Sequence, residues 1–445
     1  MPFRPPTAEP AIRKAGRETI AFYGWKLVFA LWILDFVNMG FPLYGGAVIN
    51  VYMMKQIEMT RSIYGLGFSL FNVFVGLPSP AIAASIVRWG VRRTFMIGSG
   101  VIFLGSMWLA CFTTQPWHYL VGFGVLIGTG IGFATIIPTA TAITRWFTRY
   151  RGRAMAIALT ASGFAGLAAA PLMNKLLATP GVSWRLGWLM IAGLAVGSAA
   201  FAFFTVKEHP EDLGQVADGA KPEESRTDSA KPNALVSRQA WLPEEAYRTL
   251  SFWMIVIGSV ACQYPFFFFT AHWILYLRGL GISPANSALA MGLFTMGGIP
   301  GAIVGGWLMD RLPARFAFMI GLCCYTAGSL LALRASSESL ATVFAAAILF
   351  GAGFRWTFIC LNTITGHYYG PSAFPKLNGT LLMCSALACS PASAVGGKLY
   401  DIYRSYRPAF ELNIGLCAIG IVALAFARMP RHSCENSGDL VLPKA

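Results

Sequence analysis

Apolar residues along the chain fall into twelve long runs separated by polar stretches. They lie at roughly 25–47, 62–82, 94–112, 117–141, 154–177 and 186–206, then 250–275, 286–309, 316–333, 340–365, 378–397 and 408–427. Each run is continuous and close to the ~20 residues that a helix needs to cross the hydrocarbon core. A spanning β-strand would be shorter and would alternate apolar with polar positions. The pattern predicts an all-α membrane protein with twelve transmembrane helices. The polar stretch 207–249 is rich in both signs of charge and carries Pro210, Pro222, Pro232 and Pro243, the composition of a solvated linker. It divides the chain into six spans and six spans, which points to a duplication. The predicted organisation is a tail (1–24), a six-helix bundle (25–206), a linker (207–249), a second six-helix bundle (250–428) and a second tail (429–445).

The halves also echo each other locally. Gly130-Ile131-Gly132-Phe133 matches Gly351-Ala352-Gly353-Phe354, and Val87-Arg88-Trp89-Gly90-Val91-Arg92-Arg93 after span 2 matches Asp310-Arg311-Leu312-Pro313-Ala314-Arg315 after span 8. Trp25 and Trp253 open spans 1 and 7. Two six-helix pseudo-repeats follow.

Composition agrees and narrows the class. Of 445 residues, 56% are hydrophobic and only 12% charged, about half the ~25% of a soluble protein. That excludes a soluble surface and equally excludes disorder. The net charge of +15 would raise nucleic-acid binding for a soluble domain. Here the basic residues sit in short loops. With the N-terminus in the cytoplasm, most of the 34 Lys and Arg fall on the cytoplasmic side, as the positive-inside rule requires. We expect both termini in the cytoplasm, the lipid bilayer as surroundings and no nucleic-acid partner. Residues 1–20 lack an apolar core, so no cleaved signal peptide is expected. The expected location is the plasma membrane, a bacterial inner membrane, with the protein acting as a monomer.

Asp35 and Arg355 are the Asp, Glu, Lys or Arg residues deep inside the runs; Lys26, Lys175 and Glu411 sit near ends. At ~1.5 Å per residue, Asp35 lies ~15 Å into span 1 and Arg355 ~22 Å into span 10. A charge at that depth costs ~2.5–3.5 kcal/mol on insertion scales, so it faces water, a partner or a ligand. Asp35, Asn38 and Pro42 share one helix side, and Gly351, Arg355 and Asn362 share another. A purely structural Asp35–Arg355 ion pair is the alternative reading. Gln263, Tyr264 and His272 dot span 7, with His272 toward its outer, wetter end. Asn72, Thr135 and Thr295 are weaker polar candidates.

This organisation resembles the major facilitator superfamily over about residues 25–430. Gly306-Trp307-Leu308-Met309-Asp310-Arg311, followed by Arg315, is similar to that family's G-x-x-x-D-R loop motif. The resemblance implies a gating role for Asp310, Arg311 and Arg315, because a carboxylate there can cap a neighbouring helix N-terminus and pair with Arg. The first-half copy has Ala83 for the glycine and Val87 for the aspartate but keeps Arg88, Arg92 and Arg93, so its lock should be weaker or differently built. Tyr23-Gly24-Trp25, Arg145-Trp146-Phe147, Arg151-Gly152-Arg153-Ala154-Met155-Ala156, Ser162-Gly163, Trp184-Arg185, His272 and Tyr368-Tyr369-Gly370 look most like the oxalate/formate antiporter and monocarboxylate transporter branch. The branch departs here in one respect. Span 8 has no Lys or Arg, span 11 has only Lys398 at its edge, and Tyr44-Gly45-Gly46 stands where many animal relatives carry a lysine.

In this superfamily helices 1, 4, 7 and 10 line the central cavity. The resemblance therefore implies that Arg355 binds the substrate carboxylate, with Asn38, Gln263, Tyr264 and Asn362 as further contacts, and that Asp35 answers to the coupling proton. The sequence has no HExxH, P-loop lysine motif, nucleophile elbow or metal-spaced cluster, so neither an enzyme nor a bound cofactor is expected. The expected activity is secondary transport of small organic anions, monocarboxylates above all, by proton coupling or anion exchange. A carrier of a neutral or amphiphilic solute is the alternative. A non-transporting sensor is disfavoured, because the tail after 428 is too short for an output domain.

Overall fold

The computed structural model describes residues 22–147, 150–219, 241–309 and 311–430. Most of the expected tails (residues 1–21 of 1–24 and 431–445 of 429–445), the central part of the expected linker (220–240) and the gating candidate Asp310 lie outside the described residues.

The helices are α1 (Tyr23–Gln56), α2 (Arg61–Gly76), α3 (Ser79–Phe112), α4 (Pro116–Trp146), α5 (Arg151–Leu177), α6 (Trp184–Thr205), α7 (Leu250–Gly279), α8 (Pro284–Met309), α9 (Ala314–Leu333), α10 (Leu340–Gly370), α11 (Lys376–Tyr403) and α12 (Arg407–Phe426). Eleven are long and apolar enough to cross a membrane; α2, with 16 residues, is the exception. Its crossing is completed by the start of α3, after a break at Leu77-Pro78. Proline fixes its own φ and lacks an N–H, so the helix restarts there.

Two expected loops are nearly absent. Residues 87–93 form a helix on either side of a single turn at Gly90 (φ 88°), and α10 continues to a similar turn at Gly370 (φ 75°). Only glycine takes such angles without strain. The polar residues Arg88 and Trp89 are therefore helical, because helices run on past the hydrocarbon into the interface.

The duplication is visible in the packing, with a corrected register. A Cβ on Gly128 would sit 2.8 Å from the Phe71 carbonyl oxygen, and one on Gly351 would sit 1.8 Å from the Phe294 carbonyl oxygen. Gly130 presses on the Ile102 backbone nitrogen as Gly353 does on that of Tyr325, each at 2.8 Å. All four pairs share one sequence offset, the offset that also links Val87 to Asp310. Gly128-x-Gly130, not Gly130-x-Gly132, is thus the counterpart of Gly351-x-Gly353. In this register Arg355 stands where the first half has Gly132, and Gly298 stands where it has Val75.

Within the first half α1 packs on α5 and α6, and α3 on α4 and α6; within the second, α10 packs on α7, α8 and α9, and α12 on α7 and α9. The halves meet chiefly through α5 against α8 and α2 against α11.

Candidate functional site

Two helix irregularities shape the centre of the bundle. In α4, Thr135 leaves helical geometry (φ −138°, ψ −113°) and Pro138 follows. A proline cannot donate to the carbonyl four residues back, which leaves the Ala134 oxygen free. Asn38 Nδ2 reaches that oxygen at 3.5 Å. One turn earlier on the same face of α1, Asp35 is buried, and the Thr139 hydroxyl lies 3.1 Å from both of its oxygens. The Asn38 Oδ1 atom is buried without a partner. Beyond it, Gly40–Gly45 widens into a π-helical turn around Pro42.

Arg355 projects from α10 toward the contact between the halves. A Cβ on Gly298 of α8 would meet the Arg355 Cγ at 2.5 Å, so that glycine makes room for the arginine stem. Its Nη2 donates to the Ser162 hydroxyl on α5. Among the described residues no carboxylate pairs with Arg355, and Asp35 and Arg355 form no ion pair. Asp35 and Asn38 lie together against α4, while Arg355 meets Ser162 and Gly298. Beside Arg355, Phe354 stacks on Phe266 of α7, with ring centroids 3.9 Å apart and planes 13° apart.

The other expected contacts divide. Gln263, one turn before Phe266, is half-buried, and its Nε2 has no partner. Tyr264 instead packs in an apolar cluster with Cys389 and Ala392, away from Arg355. Asn362 belongs to the α10 backbone, and its side chain lies outside the described atoms. His272 is fully buried, contrary to the expectation of a wet position.

The gating candidates other than Asp310 lie within the described residues. Among them, Arg88 and Arg93 are exposed, Arg92 lies over the Phe203 ring at 5.3 Å, Arg311 lies over Trp307 at 4.1 Å, and Arg315 Nη1 donates to the Ala425 carbonyl at 3.3 Å. Each of these contacts stays within one half. The carboxylate missing at Val87 is supplied by Glu208, just after α6. It accepts from the backbone N–H groups of Val91 (2.9 Å) and Arg92 (2.8 Å) and pairs with Arg145 of α4 at 2.9 Å. The turn at Gly90 exposes those N–H groups, and a carboxylate there satisfies the helix N-terminus. Glu208→Gln should lower the protein's stability by about 1–3 kcal/mol, read as earlier thermal unfolding in detergent. An unchanged transition would show that Glu208 carries no structural weight.

Among the described residues, the hydrogen bonds that join the halves lie from mid-depth to the far end, opposite the end bearing Phe22, Val206 and Ala427. At mid-depth the Thr295 hydroxyl donates to the Gly163 carbonyl at 3.0 Å. At the far end Ser62 of α2 donates to Asp401 of α11 through its backbone N–H (3.0 Å) and its hydroxyl, and Ala394 N–H donates to Ser69 Oγ at 3.1 Å. The Arg61 guanidinium lies 3.5 Å over the Tyr400 ring. His272 bridges Tyr406 (3.0 Å) and the Ser393 carbonyl (2.7 Å) behind them. Sequence reasoning missed Arg61, Ser62, Asp401 and Glu208, because each reads as an ordinary polar residue at a helix end.

A bundle of apolar helices in two pseudo-equivalent halves, joined by hydrogen bonds toward one end and with a half-buried arginine at the contact between them, has the architecture of a polytopic membrane carrier. The model of the Major Facilitator Superfamily matches residues 27–280 and 255–439, and the chain belongs to that family. Its sequence is similar to Monocarboxylate transporter 13 of Bos taurus (27% identity, covering 87% of this chain and 85% of the relative). It is also similar to Monocarboxylate transporter 11 of Homo sapiens (25% identity, 79% and 72%). These relatives place it in the monocarboxylate transporter branch and make it a carrier, not an enzyme. Both are mammalian, which gives the expected bacterial inner membrane no support. Among solved structures it shares the fold of a D-xylose–proton symporter (TM-score 0.68, 14% identity, 91% of this chain and 97% of that one). It also shares that of a bacterial homologue of the human lysosomal transporter Spinster in an inward-facing, unoccupied conformation (TM-score 0.64, 16% identity, 91% and 95%).

Proposed function

We propose that the protein is a secondary transporter of small organic monocarboxylates that works by alternating access between residues 25–206 and 250–428, in a plasma membrane with both termini cytoplasmic. The observation that carries this reading is Arg355, a half-buried guanidinium at the contact between the halves whose polar partner is a neutral hydroxyl, Ser162. Guanidinium stays charged at cellular pH and offers a planar fork matched to a carboxylate. An entering anion neutralises it and exchanges the Ser162 contact for its own. Asp35, held by Thr139 without a cation, is the group that takes up the coupling proton. Positive-inside charge supports the orientation, and the closed far end then corresponds to an inward-facing state.

Ligand binding to the native state raises its unfolding temperature. A thermal-shift screen of the purified protein against carboxylates, sugars and amino acids should yield carboxylate hits. A clear neutral hit with no carboxylate would replace this reading with a carrier of neutral solutes. In proteoliposomes, Asp35→Asn should retain exchange of labelled anion but lose accumulation driven by a pH gradient. Unimpaired accumulation would remove Asp35 from the coupling.

A further inference from the structure

Resting on the reading of Asp35 as the coupling group, we propose that Asp35, Asn38, Thr139 and the Ala134 carbonyl form a binding site for a sodium ion. The Thr139 hydroxyl lies 3.1 Å from both Asp35 oxygens, and the Asn38 amide lies 3.5 Å from the Ala134 oxygen. Asp35, Asn38 and Thr139 are only 7%, 1% and 1% exposed, so the oxygens are shielded from bulk water. Two of them are left over by the protein's own bonding. Pro138 cannot donate to the Ala134 carbonyl, and Asn38 Oδ1 is buried without a partner. The 3.5 Å contact from Asn38 Nδ2 is too long for a strong hydrogen bond. Turning the amide over to offer Oδ1 beside the Ala134 oxygen merely exchanges one unpaired end for the other. Thr135 breaks α4 immediately after Ala134, which sets the negative end of a helix segment beside the carboxylate. Freed carbonyls at a broken membrane helix are a recurrent way of holding a small cation.

Charge and spacing choose the ion. Among the described residues no Lys, Arg or His pairs with Asp35, so one positive charge neutralises the site. A divalent ion would leave a net charge in surroundings of low dielectric, which is costly. Neighbouring ligands of an octahedral ion lie about 1.4 times the metal–oxygen distance apart, so contacts of 3.1 and 3.5 Å correspond to about 2.2–2.5 Å, close to the ~2.3–2.6 Å at which oxygens hold Ca2+. Na+ has nearly that radius and half the charge. K+ is larger and requires α1 and α4 to spread. A sodium ion neutralises Asp35 as a proton does, so a sodium gradient can also drive the anion bound at Arg355.

The test measures retention of radiolabelled Na+ by the full chain in detergent, at mildly alkaline pH and without substrate. Unlabelled Na+ should displace the label, while K+ and choline at equal ionic strength should not. The unfolding temperature of the wild type should also be higher in Na+ than in choline, a readout that needs no variant. Asp35→Asn should lose retention. Thr139→Val and Asn38→Leu each delete one oxygen at similar volume and should weaken it at least about tenfold, whereas Thr139→Ser should keep it. Absence of retention in the wild type, equal displacement by Na+ and K+, or full retention in Asp35→Asn would overturn the sodium site. No sodium retention together with loss of pH-driven accumulation in Asp35→Asn would leave the proton assignment standing. Sodium retention by the wild type, with unimpaired pH-driven accumulation in Asp35→Asn, would overturn the proton assignment alone.

Discussion

Arg355→Met should abolish carboxylate binding without destabilising the protein. The two halves of that expectation come from different physics. Removing one partner of a desolvated, hydrogen-bonded charge pair costs about 2–5 kcal/mol of binding, a loss of at least about thirtyfold in affinity. Stability should move the other way. In the empty protein the guanidinium has a neutral hydroxyl partner and no paired carboxylate among the described residues, so it carries a desolvation cost that no ion pair repays. Methionine keeps an unbranched stem in the space that Gly298 provides and leaves Ser162 free to bond elsewhere. The apo variant should therefore unfold at the wild-type temperature or above it, measured by differential scanning fluorimetry without ligand. A structural arginine gives the opposite result, since breaking a buried pair costs about 3–5 kcal/mol. A destabilised apo variant that still binds carboxylate would make Arg355 a structural residue. Arg355→Lys separates charge from shape. It keeps the cation but loses the fork, so it should bind more weakly than wild type and more tightly than Arg355→Met.

The sequence made the deep charges legible because polar atoms are rare in a chain that is 56% hydrophobic, and a single Arg in an apolar run stands out. The crossings were legible for the same reason. Their turns were not. Gly90 and Gly370 reverse the chain between helices that continue through polar residues, and hydrophobicity is silent once a helix leaves the hydrocarbon. The register of the repeat was ambiguous because Gly128, Gly130 and Gly132 are evenly spaced. The backbone contacts at Phe71 and Phe294, and at Ile102 and Tyr325, choose among them. The partners were least legible of all. Ser162 is 193 residues from Arg355, and Ser62 is 339 from Asp401. Glu208 looked like one acid among many in a polar stretch. What makes each of them matter is a neighbour brought near by the whole fold, which no local pattern records.

Gly65→Val should hold the far end open. At this end α2 and α11 approach so closely that a Cβ on Gly65 would lie 2.1 Å from the Ser393 carbonyl oxygen and 2.7 Å from its carbon, with His272 Nε2 at 3.0 Å. Those first two atoms are backbone and cannot swing aside. A valine therefore forces the helices apart and with them the Ser62–Asp401 and Ser69–Ala394 hydrogen bonds. The displaced state is the one that alternating access requires at the opposite stage of its cycle, so the protein need not unfold to accommodate the side chain. Asp401→Asn is the milder counterpart. It leaves the packing alone and weakens a charge-assisted pair of hydrogen bonds worth about 1.5–3 kcal/mol each, which shifts the closed population by roughly tenfold or more. The readout is labelling of Gln263→Cys, at mid-depth on α7, by a membrane-impermeant thiol reagent added from the far side, above the background of the parent. Labelling should be strong with Gly65→Val, intermediate with Asp401→Asn and slow in the parent. Uptake of labelled anion should fall in the valine variant, because a carrier that cannot close one end cannot complete its cycle. Equal labelling rates in all three, with uptake intact, would mean that the contact between α2 and α11 is not the gate.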